Sequence, residues 1–299
     1  MSARSLLFVP GDSDRKLAKS ADSGADAVIV DLEDSVAPAA KAAARARARE
    51  FLLAHPARDA GELWVRINPL DTPEALADLV AIVAARPDGI VQPKTRSAAD
   101  VVRLGHYLDA LESQHGLEPG GIRILPLATE TPEALFSLGG FAQCGPRLCG
   151  VSWGAEDLGA AVGASANREA DGGWTAPFQL ARSLCLFAAS AAGVPAVDTV
   201  HTDFRDADGL RAACVAARRD GFAAKLAIHP GQVGIINECF MPGADEVAHA
   251  RRVVELFAAH PGVAALALDG RMIDIPHLRQ AQRILERAGE ARRPSATTR

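Results

Sequence analysis

Carboxylates stand at three places where a short apolar run ends: Asp31-Leu32-Glu33-Asp34, Glu130, and Gly154-Ala155-Glu156-Asp157. Two further runs end in cations, Arg66 of Arg66-Ile67-Asn68 and Lys94 of Gln92-Pro93-Lys94, and another ends in His229-Pro230. Acids from three segments and cations from two more are what a hard divalent metal with an anionic ligand requires. Mg²⁺ takes oxygen ligands in an octahedron and keeps positions open for water or substrate. Zinc is disfavoured, because no His/Cys cluster has ligand spacing. The acids at 31, 33 and 34 repel one another unless a cation is near. Each residue also has a plainer use, and the sequence leaves both open. Asp31 suits a turn or a helix cap, Arg66 a salt bridge, Glu130 a helix N-terminal charge and Asp157 a cap. Lys94 suits solvent, and His229 suits a structural role.

For these residues to meet, the runs before them must be neighbouring strands. Candidate strands are Ser5 to Val9, Ala27 to Asp31, Leu63 to Ile67, Gly89 to Gln92, Ile122 to Ala128, Leu148 to Ser152, Ala196 to Val200 and Ala223 to Ile228. Runs such as Ala27-Val28-Ile29-Val30 are apolar on both faces of a pleat, as parallel strands covered on both sides are. Helical patterns lie between them, at Ser13 to Ser23, Ala39 to Ala54, Thr72 to Ala85, Ala98 to His115, Pro132 to Leu138, Pro177 to Ala192 and Ala207 to Arg219. This alternation predicts an α/β fold, a (β/α)8 TIM barrel over residues 1–230, with its catalytic groups at the C-terminal ends of the strands. A doubly wound sheet is the runner-up, but Pro10-Gly11-Asp12-Ser13 lacks the Gly-rich phosphate signature. Residues 231–299 read as a C-terminal helical extension. It holds helices from about Asp245 to His260 and Ile275 to Ala288, with an apolar piece Val263 to Leu268 and then Asp269-Gly270-Arg271 between them.

Composition narrows the class. The 299 residues are 48% hydrophobic and 23% charged with a net charge of −5, which is ordinary globular usage and argues against a nucleic-acid-binding surface. With 10 Phe, 3 Trp and 1 Tyr, base-stacking platforms are disfavoured and the core falls to aliphatic side chains. Five cysteines, an odd number without C-x-x-C spacing, read as buried reduced thiols in a reducing cytoplasm. The apolar stretch Leu6 to Pro10 is too short for a signal-peptide core, and no run reaches the ~18 residues of a membrane span.

The motifs SLLFVPGD, VIVDLEDSV with the following Lys41 and Arg45, VRIN, QPK, ATETPEAL, SWGAEDLGAAVG, KLAIHPGQV and LDGRMIDIPHLRQA occur in this order over residues 4 to about 288. Together they resemble the citrate lyase beta-subunit-like branch of the HpcH/HpaI aldolase family. The resemblance implies a barrel enzyme that cleaves or forms a carbon–carbon bond beside a CoA thioester, with Mg²⁺. By the same resemblance Glu130 and Asp157 look like the metal ligands and Arg66 like the cation facing the reacting oxygens. Glu33 and Asp34 look like partners of metal-bound water and of Arg66. The backbone N–H groups of Gly154, Ala155 and Glu156 resemble the anchor of the oxo-acid carboxylate. Phe8, Pro10, Lys19 and Lys94 are weaker candidates for the CoA side. In related lyases a C-terminal Asp reaches a neighbouring subunit's site, and Asp274, with Asp269 second, matches that position.

The implied activity is cleavage of a short 3-hydroxyacyl-CoA of the citramalyl, malyl or citryl type into acetyl-CoA, or a homologue, and a 2-oxo acid. Malyl-CoA thioesterase or malate synthase-type chemistry on the same enolate is the alternative, as is a beta subunit working inside a citrate lyase complex. The expected partners are the CoA thioester, a small 2-oxo acid and further copies of the chain as a trimer or hexamer, with no nucleic acid and no membrane. Residues Asn167 to Trp174 read as either a lid over the site or a plain surface loop.

Overall fold

The computed structural model describes residues 3–58 and 61–289. The chain divides into two compact units, one of Ala3–Asn237 and one that starts at Glu238. In the first, strands and helices alternate as β1 (Ser5–Pro10), α1 (Asp14–Ser20), β2 (Ala27–Asp31), α2 (Lys41–Ala54), β3 (Glu62–Arg66) and α3 (Pro73–Ile82). Next come β4 (Gly89–Gln92), α4 (Ala98–Gln114), β5 (Arg123–Pro126), the single-turn α5 (Pro132–Leu135), β6 (Val151–Ser152) and α6 (Ala155–Val162). The series ends with α7 (Ala176–Ala191), β7 (Ala196–Asp198), α8 (Ala207–Asp220), β8 (Ala224–Ala227) and α9 (Pro230–Phe240).

The strands form one sheet in the order β5-β4-β3-β2-β1-β8-β7-β6. Parallel bridges from Ile124 to Leu148 and from Leu127 to Ser152 join its two ends, with Ala128 N–H donating to Ser152 O at 2.8 Å. The sheet is thus a (β/α)8 barrel. Every residue of β2 is buried, as a strand apolar on both faces requires when helices cover its outer side. The interior is filled by Leu6, Ile29, Trp64, Val91, Leu125 and Leu226, with Phe8 and Val200 packed against this cluster. Gly89 makes room for the indole, since a β-carbon there would lie 2.1 Å from Trp64 Cζ3.

In the first unit several elements depart from the sequence expectation, α6 among them, since none of the expected helices covers it. The run Leu148 to Ser152 is shared between two neighbours, Leu148 bridging to β5 while Val151–Ser152 pair with β7, so β6 is only two residues long. After β8 the first unit continues past residue 230, because Pro230 opens α9, whose Val233 and Ile236 are buried. No described helix is long and apolar enough to cross a membrane. All five cysteines are free thiols, and burial pushes Cys144 and Cys149 up to about 11.

The second unit holds α10 (Ala244–Ala259), an antiparallel hairpin of β9 (Ala265–Leu268) and β10 (Arg271–Asp274), and α11 (Ile275–Arg287). The expected apolar piece is therefore a strand, reversed at Asp269-Gly270 with φ of 52° and 75°. Two positive φ values at an Asp-Gly pair are the turn that suits a two-residue hairpin. Ala250, Val253, Phe257, Ile273 and Ala281 form this unit's own core.

Candidate active site

The parallel register sets Asp31, the last residue of β2, directly beside Arg66, the last residue of β3. Their side chains form a two-pronged pair, Nε to Oδ1 and Nη2 to Oδ2, both at 2.7 Å. The same guanidinium meets Glu33 Oε2 at 2.9 Å and lies 4.7 Å over the Phe8 ring. Burial pushes the Asp31 carboxyl up, but the Arg66 bonds and charge, with N–H donors from Glu33 and Ser35, hold it below its ordinary range. Arg66 stays charged: burial opposes that, yet Asp31 and Glu33 raise its pKa above the ordinary value. Such a planar fork, held on one side by two acids, presents its remaining edge in a fixed direction.

The turn carrying Glu33 is shaped from behind by Lys41. Its ammonium donates to the carbonyls of Leu32 and Glu33, both at 2.8 Å, and to Asn68 Oδ1 at 2.6 Å. Asn68 in turn binds Asp78, which Arg45 also grips. Lys41 and Arg45 thus position the acidic turn from outside the site.

At the end of β4, Lys94 adopts a left-handed backbone with φ 47°. Its N–H donates to Glu130 Oε2 at 2.6 Å, and its ammonium contacts Glu33, Asp34 at 3.2 Å and Asp157 at 3.1 Å. Burial lowers its pKa, but the bond and charge of Glu33 dominate and hold it protonated, above its ordinary range. Glu130 is buried, and burial plus the charges of Asp157 and Glu33 push its carboxyl up to about 8. A carboxylate strained in this way by its own neighbours is relieved by a cation placed between them.

Glu130 and Asp157, which both line the cavity at this end of the barrel, are two carboxylates that could hold a metal. Among the described residues no three His, Cys, Asp or Glu side chains converge on one point. Two all-oxygen carboxylates fit Mg²⁺, which is commonly bound by one or two acids with water and substrate oxygens completing its shell. The space beside Glu130 exists because residue 154 has no side chain, a β-carbon there falling 2.9 Å from Glu130 Oε1.

The cavity at this end of the barrel has a volume of about 270 Å³, and Phe8, Pro10, Arg66, Glu130, Ala155 and Asp157 are among its lining residues. No side chain caps α6, so the N–H groups of its first turn, at Ala155 and Glu156, remain available to an anion in the cavity. The Gly154 N–H, expected to share that task, donates instead to Thr129 Oγ1 at 3.2 Å.

Other expected residues fall differently. Asp34, expected beside Arg66, faces outward and meets Lys94. Lys94, expected toward CoA, turns into the acids. Lys19 is exposed in the last turn of α1 and is not among the lining residues. His229 accepts from the Gly231 N–H at 3.1 Å and stacks on Phe204. Asp274 belongs to the second unit, where it caps α11 in a reciprocal box with His277, and Asp269 pairs with Arg252. Sequence reasoning passed over Asp31 as the partner of Arg66, and Trp153, which the sequence favours as a core residue, is buried and also lines the cavity. Trp153 donates through Nε1 to the buried Asp198 at 2.8 Å, and Asp198 also pairs with Lys225 at 2.7 Å.

Two acids, a guanidinium and the uncapped start of a helix thus meet on one cavity at the strand ends of a parallel α/β barrel. The chain matches the HpcH/HpaI aldolase/citrate lyase family over residues 4–230, and it belongs to that family. It is 36% identical to a citrate lyase subunit beta-like protein of Mycobacterium tuberculosis over 285 residues, 95% of each chain. It is 35% identical to a (3S)-malyl-CoA thioesterase of Cereibacter sphaeroides over 291 residues, 95% of this chain and 94% of the other. Among solved structures it is similar to CitE of Mycobacterium tuberculosis in complex with magnesium, acetoacetate and coenzyme A. The TM-score is 0.77 at 35% identity, covering 96% of this chain and 98% of that one.

Proposed function

We propose that this protein is a Mg²⁺-dependent CoA-ester lyase that splits a short 3-hydroxyacyl-CoA into acetyl-CoA, or a homologue, and a 2-oxo acid. The observation that carries the reading is that Arg66, Glu130 and Asp157, from three different strand ends, line one cavity with the uncapped start of α6. The relatives support it: the Mycobacterium tuberculosis citrate lyase beta subunit has been solved with oxaloacetate and magnesium, and CitE with coenzyme A.

In this reading the N–H groups of Ala155 and Glu156 hold the carboxylate beside the carbinol carbon. Glu130 and Asp157 hold Mg²⁺, which when bound supplies Lewis-acid polarisation and a template for the substrate's oxygens. The hydroxyl passes its proton to the carboxylate of Asp274 from a neighbouring copy, the bond between the α-carbon and the carbinol carbon breaks, and its electron pair passes to the thioester as an enolate. Arg66 faces the oxygens on which charge changes, and one such preset donor is typically worth ~3 to 4 kcal/mol. Asp274 of a neighbouring copy is the proposed acid that protonates the enolate carbon, which makes the active form a homo-oligomer, a trimer or hexamer, in the cytoplasm. Phe8 and Pro10 lie on the proposed thioester side of the cavity.

Incubation with citramalyl-, malyl- and citryl-CoA, scoring oxo acid against free thiol, tests the reading. Oxo acid formed with Mg²⁺ and lost with a chelator is the expected result. Free thiol without oxo acid would make the protein a thioesterase, and turnover confined to acyl-carrier-protein esters would make it a complex subunit.

A further inference from the structure

The segment between α6 and α7 folds back on the start of α6. Arg168 and Trp174 pair in an antiparallel bridge, with the Thr175 N–H donating to Asn167 O at 3.1 Å and the Glu169 N–H to Gly173 O at 2.8 Å. The reversal passes through Gly172, whose φ of 86° is left-handed backbone that glycine adopts without strain. Trp174 fixes this strap to the barrel. Its indole meets that of Trp153 edge to face with ring centroids 4.9 Å apart, lies 6.4 Å from the buried Phe178 ring, and carries the Arg168 guanidinium 3.5 Å over it. Aromatic packing thus sets the strap, and the strap delivers one side chain to the start of α6. Asn167 Nδ2 donates to Glu156 Oε1 at 2.9 Å.

Glu156 is the second residue of α6 and lines the cavity. Its carboxylate is a rival to any anion that binds there. The N–H groups of Ala155 and Glu156 have no side-chain cap, and a loose carboxylate in the same turn is drawn to them by the partial charges that attract a substrate anion. Asp157, the next acid in that turn, is held by Lys94 at 3.1 Å. For Glu156, Asn167 is the one side-chain hydrogen-bond donor among the described residues. Resting on the reading above, in which these N–H groups hold the oxo-acid carboxylate, we propose that Asn167 is a positioning residue. It holds the Glu156 carboxylate off the donors at the start of α6, so that the substrate's carboxylate and not the protein's own occupies them.

Calorimetry with pyruvate, a small 2-oxo acid, at saturating Mg²⁺ tests the proposal. Alanine at 167 keeps the backbone bond to Thr175 and deletes the bond to Glu156, so Asn167→Ala should keep its thermal midpoint. It is expected to weaken pyruvate about tenfold, and a loss under about threefold overturns the proposal. Glu156→Gln removes the competing charge and keeps the backbone donor. In that background the same Asn167→Ala change should cost less than about threefold, whereas an undiminished tenfold loss shows that Asn167 merely props the strap and overturns the proposal. A crystal structure of ligand-free Asn167→Ala gives a readout that needs no ligand. The Glu156 carboxylate hydrogen-bonded to the N–H of Ala155 or Glu156 is the expected result, and a carboxylate that stays clear of both overturns the proposal. Should the wild-type protein bind no pyruvate, that crystal structure decides alone. The lyase reading fails separately: if no CoA ester yields an oxo acid while pyruvate binding shows these differences, the role of Asn167 stands. If esters are cleaved and Asn167→Ala leaves KM unchanged, the lyase stands and the role of Asn167 falls.

Discussion

Gly154 lies so close to Glu130 that a β-carbon on it would fall 2.6 Å from Glu130 Cγ and 2.9 Å from Oε1. The backbone at Gly154, with φ −121° and ψ 120°, is open to any residue, so the constraint is space and not conformation. Glycine is required here so that the end of β6 can approach the carboxylate. Gly154→Ala should leave the barrel folded and push Glu130 aside, a local overpacking that typically costs ~1 to 3 kcal/mol. The expected outcome is a loss of Mg²⁺ affinity of about tenfold or more by calorimetry, with an unchanged circular dichroism spectrum. Wild-type affinity in the variant would remove Glu130 from the metal assignment.

Arg66→Lys keeps the positive charge and loses the fork. A lysine cannot bridge both oxygens of Asp31 while also reaching Glu33, so the charge that faces the cavity is no longer fixed in direction. Cleavage should fall by ~10² to 10³-fold through kcat, the usual effect of removing one preset oxyanion donor. Mg²⁺ binding should stay within about threefold, well under the tenfold that 1.4 kcal/mol represents. A rate near wild type would show that Arg66 serves Asp31 alone.

The strands were legible because burial on both faces leaves a continuous apolar run, as in Ala27–Asp31, and the strand-end chemistry followed from counting along those runs. Arg66, Glu130 and Asp157 could be named in that way. Their partners could not, since the Asp31–Arg66 pair depends on the register between β2 and β3, and no local pattern encodes it. The contact between residue 154 and Glu130 is likewise a distance between two strand ends. Helix α9 was missed because His229-Pro230-Gly231 reads as a loop and Gly234 weakens the helical pattern, whereas burial of Val233 and Ile236 stabilises it. The β9–β10 hairpin carried its signal in Asp269-Gly270, but its strands are short and largely exposed, so they lack the apolar runs that marked the barrel.

Asp198 links stability to pH. Burial pushes its carboxyl up, but the charges of Lys225 and Arg182, with bonds from Lys225 and Trp153, outweigh that and hold it below its ordinary range. A depressed folded pKa means that the unfolded chain binds the proton more readily. The stabilisation is thus complete above the unfolded value of about 3.9 and is lost as pH falls through the lower folded value. Asp198→Asn leaves Lys225 buried without its partner and should cost ~3 to 5 kcal/mol at pH 7, read by urea unfolding. The variant's stability should also fall less steeply than wild type below about pH 4. Equal stability at pH 7 would show that Lys225 finds another partner.

Asp274 allows the proposed sharing of active sites to be tested without disturbing the fold. Its side chain caps α11, so alanine would remove a cap worth ~1 kcal/mol, whereas asparagine caps about equally well and removes only the ionisable group. Asp274→Asn alone should therefore keep its thermal midpoint and lose cleavage. Arg66→Ala alone should also be inactive, through loss of the guanidinium. If each site takes its acid from a neighbour, mixing the two inactive proteins under conditions that exchange subunits must build some sites with both an intact Arg66 and an intact Asp274. Recovered activity after mixing, with none before, is the expected outcome, and light scattering should show a trimer or hexamer in both samples. Were the acid supplied within one chain, every site in the mixture would still lack one of the two groups, and mixing would restore nothing.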